Sequence, residues 1–360
     1  MKKLIALLLA LVMVVALVAC GAKKEEAPAA DGKLYVPVMA KGFQHQFWQA
    51  VKAGADAAAK DLGVEIYFDG PASESDIAGQ IEMVKKEMAK NPQAMALAAL
   101  STDAVTEILE ECATKNIPVI GFDSGVPGDT TGAVKATAAT NNEAAAGLAA
   151  EKFGEHEGLV EAMKAATTDA PVIIACLSQD ATSASVTGRT TGFVNKMKEV
   201  AAQYGTVAVT GHDKWAEGDE AAASIIIEVA ISATPEAVDV QTAANALLAK
   251  ENLIAVFCSN EGTVTGFLAS VEDGQALADG GKFEDLVVAG FDAGATQKNA
   301  VREGWFYGSV TQDPYHIGYY AVEMAVAAAK GETVADKDTG AKWYDASNID
   351  NEDIAMLVYD

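Results

Sequence analysis

LYVPVM (34–39), FWQAVKAGADAAAKDLG (47–63) and VEIYFDG (64–70) read as strand, helix and strand, with a polar loop before the helix. Each strand is a short apolar run, and the helix carries its apolar residues at helical spacing before a terminating glycine. The pattern returns in VIIACLS (172–178), SVTGRTTGFVNKMKEVAAQYG (185–205) and TVAVTGHD (206–213). Two βαβ series in the same order predict two similar lobes. Working outward, strands are expected at Leu34–Met39, Val64–Phe68, Ala94–Leu100, Pro118–Phe122 and Val134–Ala138. Further strands are expected at Val172–Leu177, Val207–Thr210, Leu253–Cys258, Val287–Phe291 and Gly308–Thr311. Helices are expected at Phe47–Leu62, Ile77–Lys90, Thr102–Lys115, Asn142–Phe153, Ser185–Tyr204, Gly218–Val229, Glu261–Val271 and Ile317–Lys330. This alternation specifies an α/β protein built from two doubly wound parallel sheets with helices on both faces.

Each half also reaches the same tripeptide, Gly121-Phe122-Asp123 and Gly290-Phe291-Asp292. Open parallel sheets bind ligands outside the carboxyl ends of their strands. Two lobes facing each other would aim Asp123 and Asp292 into one cleft from opposite walls. The loop KGFQHQFW (41–48) places Phe43, Phe47 and Trp48 at such a strand end, and Trp215 in HDKW occupies a similar place in the second half. Aromatic rings stack on the apolar face of a sugar or pack between lobes. Asn260, Asp292 and Gln312 close three later strands, and their side chains suit paired hydroxyls. Arg189 supplies a donor to such a ligand or serves as a salt-bridge residue at a helix start.

The first twenty residues, MKKLIALLLALVMVVALVAC, carry two lysines and then an apolar run of about sixteen residues, short for a bilayer-spanning helix. The ending Leu17-Val18-Ala19-Cys20 resembles the lipobox of bacterial lipoproteins, which implies cleavage before Cys20 and lipidation of that residue. Residues 1–19 are therefore expected as a signal peptide, and 20–33 as the lipidated cysteine with a flexible tether. The location that follows is extracytoplasmic, with the chain anchored to the bacterial cell membrane. The formal charge of −25 becomes −27 without Lys2 and Lys3, and no stretch is basic enough to track a phosphate backbone. Nucleic acid is excluded as a partner. Cys112, Cys176 and Cys258 fall in apolar patterns and read as small buried hydrophobes outside any disulfide framework.

The four histidines form no metal-binding spacing, and the acidic residues of VEDGQALADGG (271–281) do not alternate as a calcium loop requires. No metal or cofactor is expected. The sequence lacks a GxSxG elbow and a P-loop, and no histidine sits on a strand end beside Asp123-Ser124. The chain reads as a binding protein and not as an enzyme.

These segments together resemble the type I periplasmic binding proteins, specifically the ribose-binding-like, sugar-binding branch of ABC importers. The resemblance runs over residues 34–350 and is carried by FWQAVKAGADAAAKDLG, FDGPASESDIAGQI, NIPVIGFDSGVP, TNNEAAAGLAAEKF, RTTGF, AVFCSNEGTVTGF, VVAGFDAG and GSVTQDPYHIGYYAVE. It implies two lobes joined by a three-crossing hinge. Residues 34–140 and 313–337 would form the N-terminal lobe, and 141–312 and 338–360 the C-terminal lobe. The crossings would lie near Thr140–Asn141, Gln312–Pro314 and Lys337–Gly340. It implies ligand roles for Phe47, Trp48, Asp123, Trp215, Asn260, Asp292 and Gln312, with His45 ahead of the aromatics. Two positions depart from ribose binders: Ser124 stands where an arginine usually follows the aspartate, and Thr187 replaces a second pocket arginine, with Arg189 two residues on. Losing guanidinium forks changes which hydroxyls are read. A hexose, another pentose or a polyol then fits as well as ribose. The partners implied are a monosaccharide or polyol, an ABC permease, and the membrane through the lipid, with the protein a monomer. The alternative is a lipoprotein presenting sugar to a receptor or a chemotaxis or two-component sensor. A lac-repressor-like regulator would need a basic helix-turn-helix where this chain has an export signal.

Overall fold

The computed structural model describes residues 33–43 and 45–359. The signal segment, Cys20 and the tether up to residue 32 lie outside the described residues. Among the described residues, no helix is long and apolar enough to cross a membrane.

The first sheet is built from β1 (Tyr35–Met39), β2 (Glu65–Asp69), β3 (Met95–Leu97), β4 (Val119–Phe122) and β5 (Val134–Ala139). These run parallel in the order β2-β1-β3-β4-β5, and β12 (Lys337–Asp338) adds beside β5. The second sheet holds β6 (Val172–Ser178), β7 (Val207–Thr210), β8 (Ile225–Ile231), β9 (Leu253–Cys258), β10 (Val287–Phe291) and β11 (Gly308–Gln312). Its order is β7-β8-β6-β9-β10-β11, with β13 (Ala341–Tyr344) antiparallel at the far edge. Both sheets reverse direction of growth beside their first strand, which is the doubly wound arrangement.

One expected helix is corrected. Gly218–Val229 is not helical: Glu220–Ala222 forms a single 3-10 turn, and Ile225–Ile231 is a central strand hydrogen-bonded to both β6 and β7. The run Ile225-Ile226-Ile227-Glu228-Val229 is β-branched at four of five positions, and such side chains pack best on a pleated surface. The internal repeat shifts accordingly. The counterpart of β2 is β8, and TVAVTGHD forms an additional edge strand.

The helices that cover the sheets are α1 (Gln46–Leu62), α2 (Ile77–Met88), α3 (Thr106–Thr114), α4 (Asn142–Glu155), α5 (Glu157–Ala165) and α6 (Ala184–Ala201). They continue as α7 (Ala237–Leu248), α8 (Glu261–Ser270), α9 (Ala295–Arg302), α10 (Pro314–Ala329) and α11 (Glu352–Ala355). Because both faces are covered, adjacent residues of one strand serve different cores. Ile174 and Cys176 pack with Phe193 and Phe257, while Ala175 and Leu177 pack with Val264 and Phe267. Cys112, Cys176 and Cys258 are buried free thiols, and burial pushes Cys176 up to about 12.

Two close helix pairs repeat the symmetry of the sheets. On the first sheet α10 lies against α1 so tightly that a Cβ on Gly54 would sit 1.8 Å from the Tyr315 carbonyl oxygen. On the second, α4 lies against α6, and a Cβ on Gly192 would sit 2.1 Å from the Glu143 carbonyl oxygen. In each pair the helix entered from the other sheet packs on the helix that follows the first strand of the sheet it joins. The chain leaves the first sheet after Ala139, leaves the second after Gln312 and leaves the first again after Asp338. These passages lie together: Thr339 N–H donates to the Ala139 carbonyl, and Asn141 N–H to Asp338 Oδ1.

Candidate ligand-binding cleft

The carboxyl ends of both sheets meet. From the first sheet come Lys41 after β1, Glu74 after β2 and Asp123 after β4. From the second come Gln179 after β6, Asn260 after β9, Asp292 after β10 and Gln312, the last residue of β11. Asp123 and Asp292 occupy matching places, one residue past β4, which lies beside β5 in the first sheet, and one residue past β10, which lies beside β11 in the second. Both have left-handed backbones, with φ of 51° and 82°. Non-glycine residues rarely hold this conformation, and aspartate tolerates it better than most. Strained residues of this kind concentrate where a ligand is gripped.

The charges are almost fully buried. Lys41 Nζ lies 3.7 Å from Glu74 and 3.8 Å from Asp123. The Arg189 guanidinium spans the two walls, 3.9 Å from Asp123 and 3.5 Å from Asp292. Arg189 is itself fixed by donating from Nε to Asn142 Oδ1 at 2.8 Å and by lying 3.9 Å over the Phe291 ring. Burial works against the charge of Glu74. Lys41, His45 and hydrogen bonds from Trp48 and Gln179 together outweigh it and hold the carboxyl at about 2. Burial pushes Asp123 above the usual carboxylate range, opposed by Lys41 and Arg189 and reinforced by Asp292 and Glu74. Burial also works against the Lys41 cation, but Glu74, Asp123 and Asp180 raise it above its ordinary value.

Hydrogen bonds complete the cluster. Gln312 Nε2 donates to Asp292 Oδ1 at 2.7 Å, and Glu261 N–H donates to Asp292 Oδ2 at 2.9 Å. Asn260 Nδ2 donates to Gln179 Oε1 at 2.6 Å, and Gln179 Nε2 reaches across to Glu74 at 2.9 Å. Trp48 Nε1 donates to Glu74 Oε1 at 2.8 Å. Two polar atoms lining this space, Gln312 Oε1 and His45 Nε2, are among the four buried side-chain polar atoms of the described residues that keep no hydrogen-bond partner. Such atoms cost free energy unless something pairs with them. The space these groups enclose is about 20 Å3, so the cleft is shut upon itself.

Of the expected residues, the structure brings together His45, Phe47, Trp48, Asp123, Arg189, Asn260, Asp292 and Gln312 around this space. Three are placed elsewhere. Trp215 packs against the core of the second lobe and donates from Nε1 to Thr191 Oγ1 at 2.9 Å. Thr187 lines a separate groove with Thr182 and Lys214. Ser124 is buried beside the cluster, its hydroxyl accepting from Ser185 N–H. Lys41 and Glu74 line the cleft and were not anticipated. A lone lysine just after an apolar strand was the only signal for Lys41. Glu74 lies in the irregular segment ASES, where no periodicity marks a buried side. Among the described residues, no group of three or more His, Cys, Asp or Glu side chains could hold a metal ion.

Comparison with known proteins identifies the family. Residues 36–333 match the family described as periplasmic binding protein domain. The D-allose-binding periplasmic protein of Escherichia coli is 26% identical over 309 residues, covering 84% of this chain and 86% of that protein. A solved structure from Brachyspira murdochii, described as an ABC transporter, LacI family transcriptional regulator, is 42% identical with a TM-score of 0.76. It covers 92% of this chain and 100% of its own. A carbohydrate transporter solute-binding protein from Agrobacterium radiobacter, solved with D-arabinose, is 26% identical with a TM-score of 0.73, again over 92% and 100% of the two chains. With two doubly wound lobes, three passages between them and a polar cluster at their facing strand ends, the chain belongs to the type I periplasmic binding protein family, in its sugar-binding branch.

Proposed function

We propose that the protein binds a neutral monosaccharide or polyol between its lobes and delivers it to an ABC permease, as a monomer tethered through lipid on Cys20. The observation that carries this reading is the paired aspartates on opposite walls, bridged by Arg189 and flanked by the unpartnered Gln312 Oε1. A sugar hydroxyl donates one hydrogen bond and accepts others, so it needs carboxylates and cations interleaved. Lys41 and Arg189 offer donors; Glu74, Asp123 and Asp292 offer acceptors. The three carboxylates outnumber the two cations, and this sign disfavours an acidic sugar. Trp48 and Phe47 provide the apolar face. Micromolar affinity requires about 8 kcal/mol, which a few charged hydrogen bonds and one stacking contact supply.

Entry requires the lobes to part, because the enclosed space is smaller than a sugar ring. The proposed hinges lie near Thr140, Asp313 and Gly340. Ligand groups on both walls are engaged together only in the closed state, which is the condition for a ligand to shift the population. A thermal-shift screen over monosaccharides and polyols tests the binding, with stabilisation by about 2.7 kcal/mol expected at a hundredfold excess over Kd. No stabilisation by any member would contradict it. Metabolic labelling with a clickable fatty acid tests the anchor. Label is expected on the wild type and absent from Cys20→Ala; an unlabelled wild type would remove the anchor from the account.

A further inference from the structure

Two helices in this structure have no capping side chain of their own and borrow one from the opposite lobe. Helix α1 of the first lobe begins after His45, whose side chain makes no cap bond. Its first N–H groups, on Gln46 and Phe47, donate instead to Glu261 Oε1 at 3.2 Å and Oε2 at 3.3 Å. Helix α9 of the second lobe begins after Gly294, which has no side chain to offer. Its Ala295 N–H donates to Gln46 Oε1 at 2.8 Å. The exchange is reciprocal: each lobe supplies the acceptor for the other's helix start. Helix N-termini leave unsatisfied N–H donors and favour negative charge. These caps exist only while the lobes are together.

We infer that Glu261 and Gln46 form a cross-lobe latch that sets how much of the protein is closed and hence how tightly it holds its ligand. The latch connects to the cleft through the bond from Glu261 N–H to Asp292 Oδ2 at 2.9 Å and through Phe47, whose N–H donates to Glu261. Glu261 and Gln46 are absent from the residues lining the enclosed space, so they act as positioning residues. Gly294 keeps the junction tight: a Cβ there would stand 2.8 Å from Glu261 Oε1 and 3.1 Å from Gln46 Oε1. Its φ of −68° suits alanine, so Gly294→Ala would wedge the latch without straining the backbone. Because apparent affinity scales with the fraction of competent protein, a weaker latch weakens binding by the ratio in which closure falls.

The inference rests on the sugar-binding reading for its effect on affinity, but its structural core is testable without sugar. Spin labels at exposed Glu82 of the first lobe and Glu199 of the second report the interlobe distance. Compared with wild type, Glu261→Ala, Gln46→Ala and Gly294→Ala should each shift the distribution toward open in ligand-free protein. Each should also weaken the sugar found in the screen by roughly three- to thirtyfold, through faster release. Glu261→Gln keeps an acceptor oxygen and should fall between wild type and alanine. If one variant folds poorly, the other two decide. Unchanged distance distributions in all of them, with and without sugar, would overturn the latch. A wild type that binds no sugar but whose distances shift as described would overturn the ligand assignment and leave the latch standing.

Discussion

Asp123 and Asp292 are the same device built twice, and they are held in different ways. Each directly follows a parallel strand that reaches the cleft, has a left-handed backbone and is buried. Asp292 is fixed by short hydrogen bonds from Gln312 and from the Glu261 N–H, so both its oxygens are already aimed. Among the described residues, the Asp123 carboxylate has only ion pairs near 4 Å, with Lys41 and Arg189. The second lobe therefore presents a preorganised acceptor, and the first a carboxylate kept at the cost of desolvation. A fixed wall and an adjustable wall suit a cleft that closes: on the proposed reading, the ligand would dock on Asp292 and Asp123 would complete its bonds on closure.

The largest effect expected from this contrast is at Asp292. Replacing it with alanine strands Gln312 Nε2, the Glu261 N–H and one side of Arg189, each worth roughly 1–3 kcal/mol when buried. Affinity for the sugar should fall by about a hundredfold or more, and the melting temperature should fall as well, as calorimetry and thermal unfolding would read. Unchanged affinity would move the docking wall elsewhere.

Next comes Glu74, whose carboxyl is held at about 2 in the folded protein. A depressed carboxylate contributes stability that is present above its unfolded value near 4.5 and is lost as pH falls toward 2. Glu74→Gln should cost roughly 3–5 kcal/mol at neutral pH, as when a buried ion pair loses one partner. It should also flatten the acid limb of the stability profile between those two values. An unaltered acid limb would mean the Lys41–Glu74 pair does not hold this wall.

Asp123 should behave oppositely. Its carboxyl lies above the usual range, so ionising it costs the fold stability as pH rises through that value. Asp123→Asn should therefore weaken sugar binding by about tenfold, one charged hydrogen bond, while leaving the neutral-pH melting temperature unchanged or raised. A loss of stability matching that of Asp292→Ala would erase the distinction between the walls. The smallest effect is expected at Trp215. With its indole bonded to Thr191 and packed on the core, Trp215→Ala should change affinity by no more than about twofold. A larger loss would give the second lobe an aromatic wall matching Trp48.

The contrast also marks what the sequence could disclose. The repeated Gly-Phe-Asp, the strand-ending Asn260 and Gln312, and the aromatics of 41–48 were legible because parallel strands deliver their last residues to one edge. The helix expected at Gly218–Val229 failed because flanking small and acidic residues masked a β-branched strand, and TVAVTGHD was matched to VEIYFDG in its place. Trp215 was misplaced for the same reason, since β7 is an edge addition without a counterpart in the first lobe. Glu74 and Gln179 were invisible because they pair with each other across the lobes, a contact that no local pattern encodes.

The central claim is that two opposed aspartates and the cations between them hold one neutral sugar. Calorimetric titration of the purified protein with a panel of monosaccharides, polyols and acidic sugars tests it most directly. The account predicts one-to-one binding of at least one neutral member at micromolar or tighter Kd, with the matching uronic acid much weaker. Folded protein that binds no neutral member, or that prefers the acid, would contradict it.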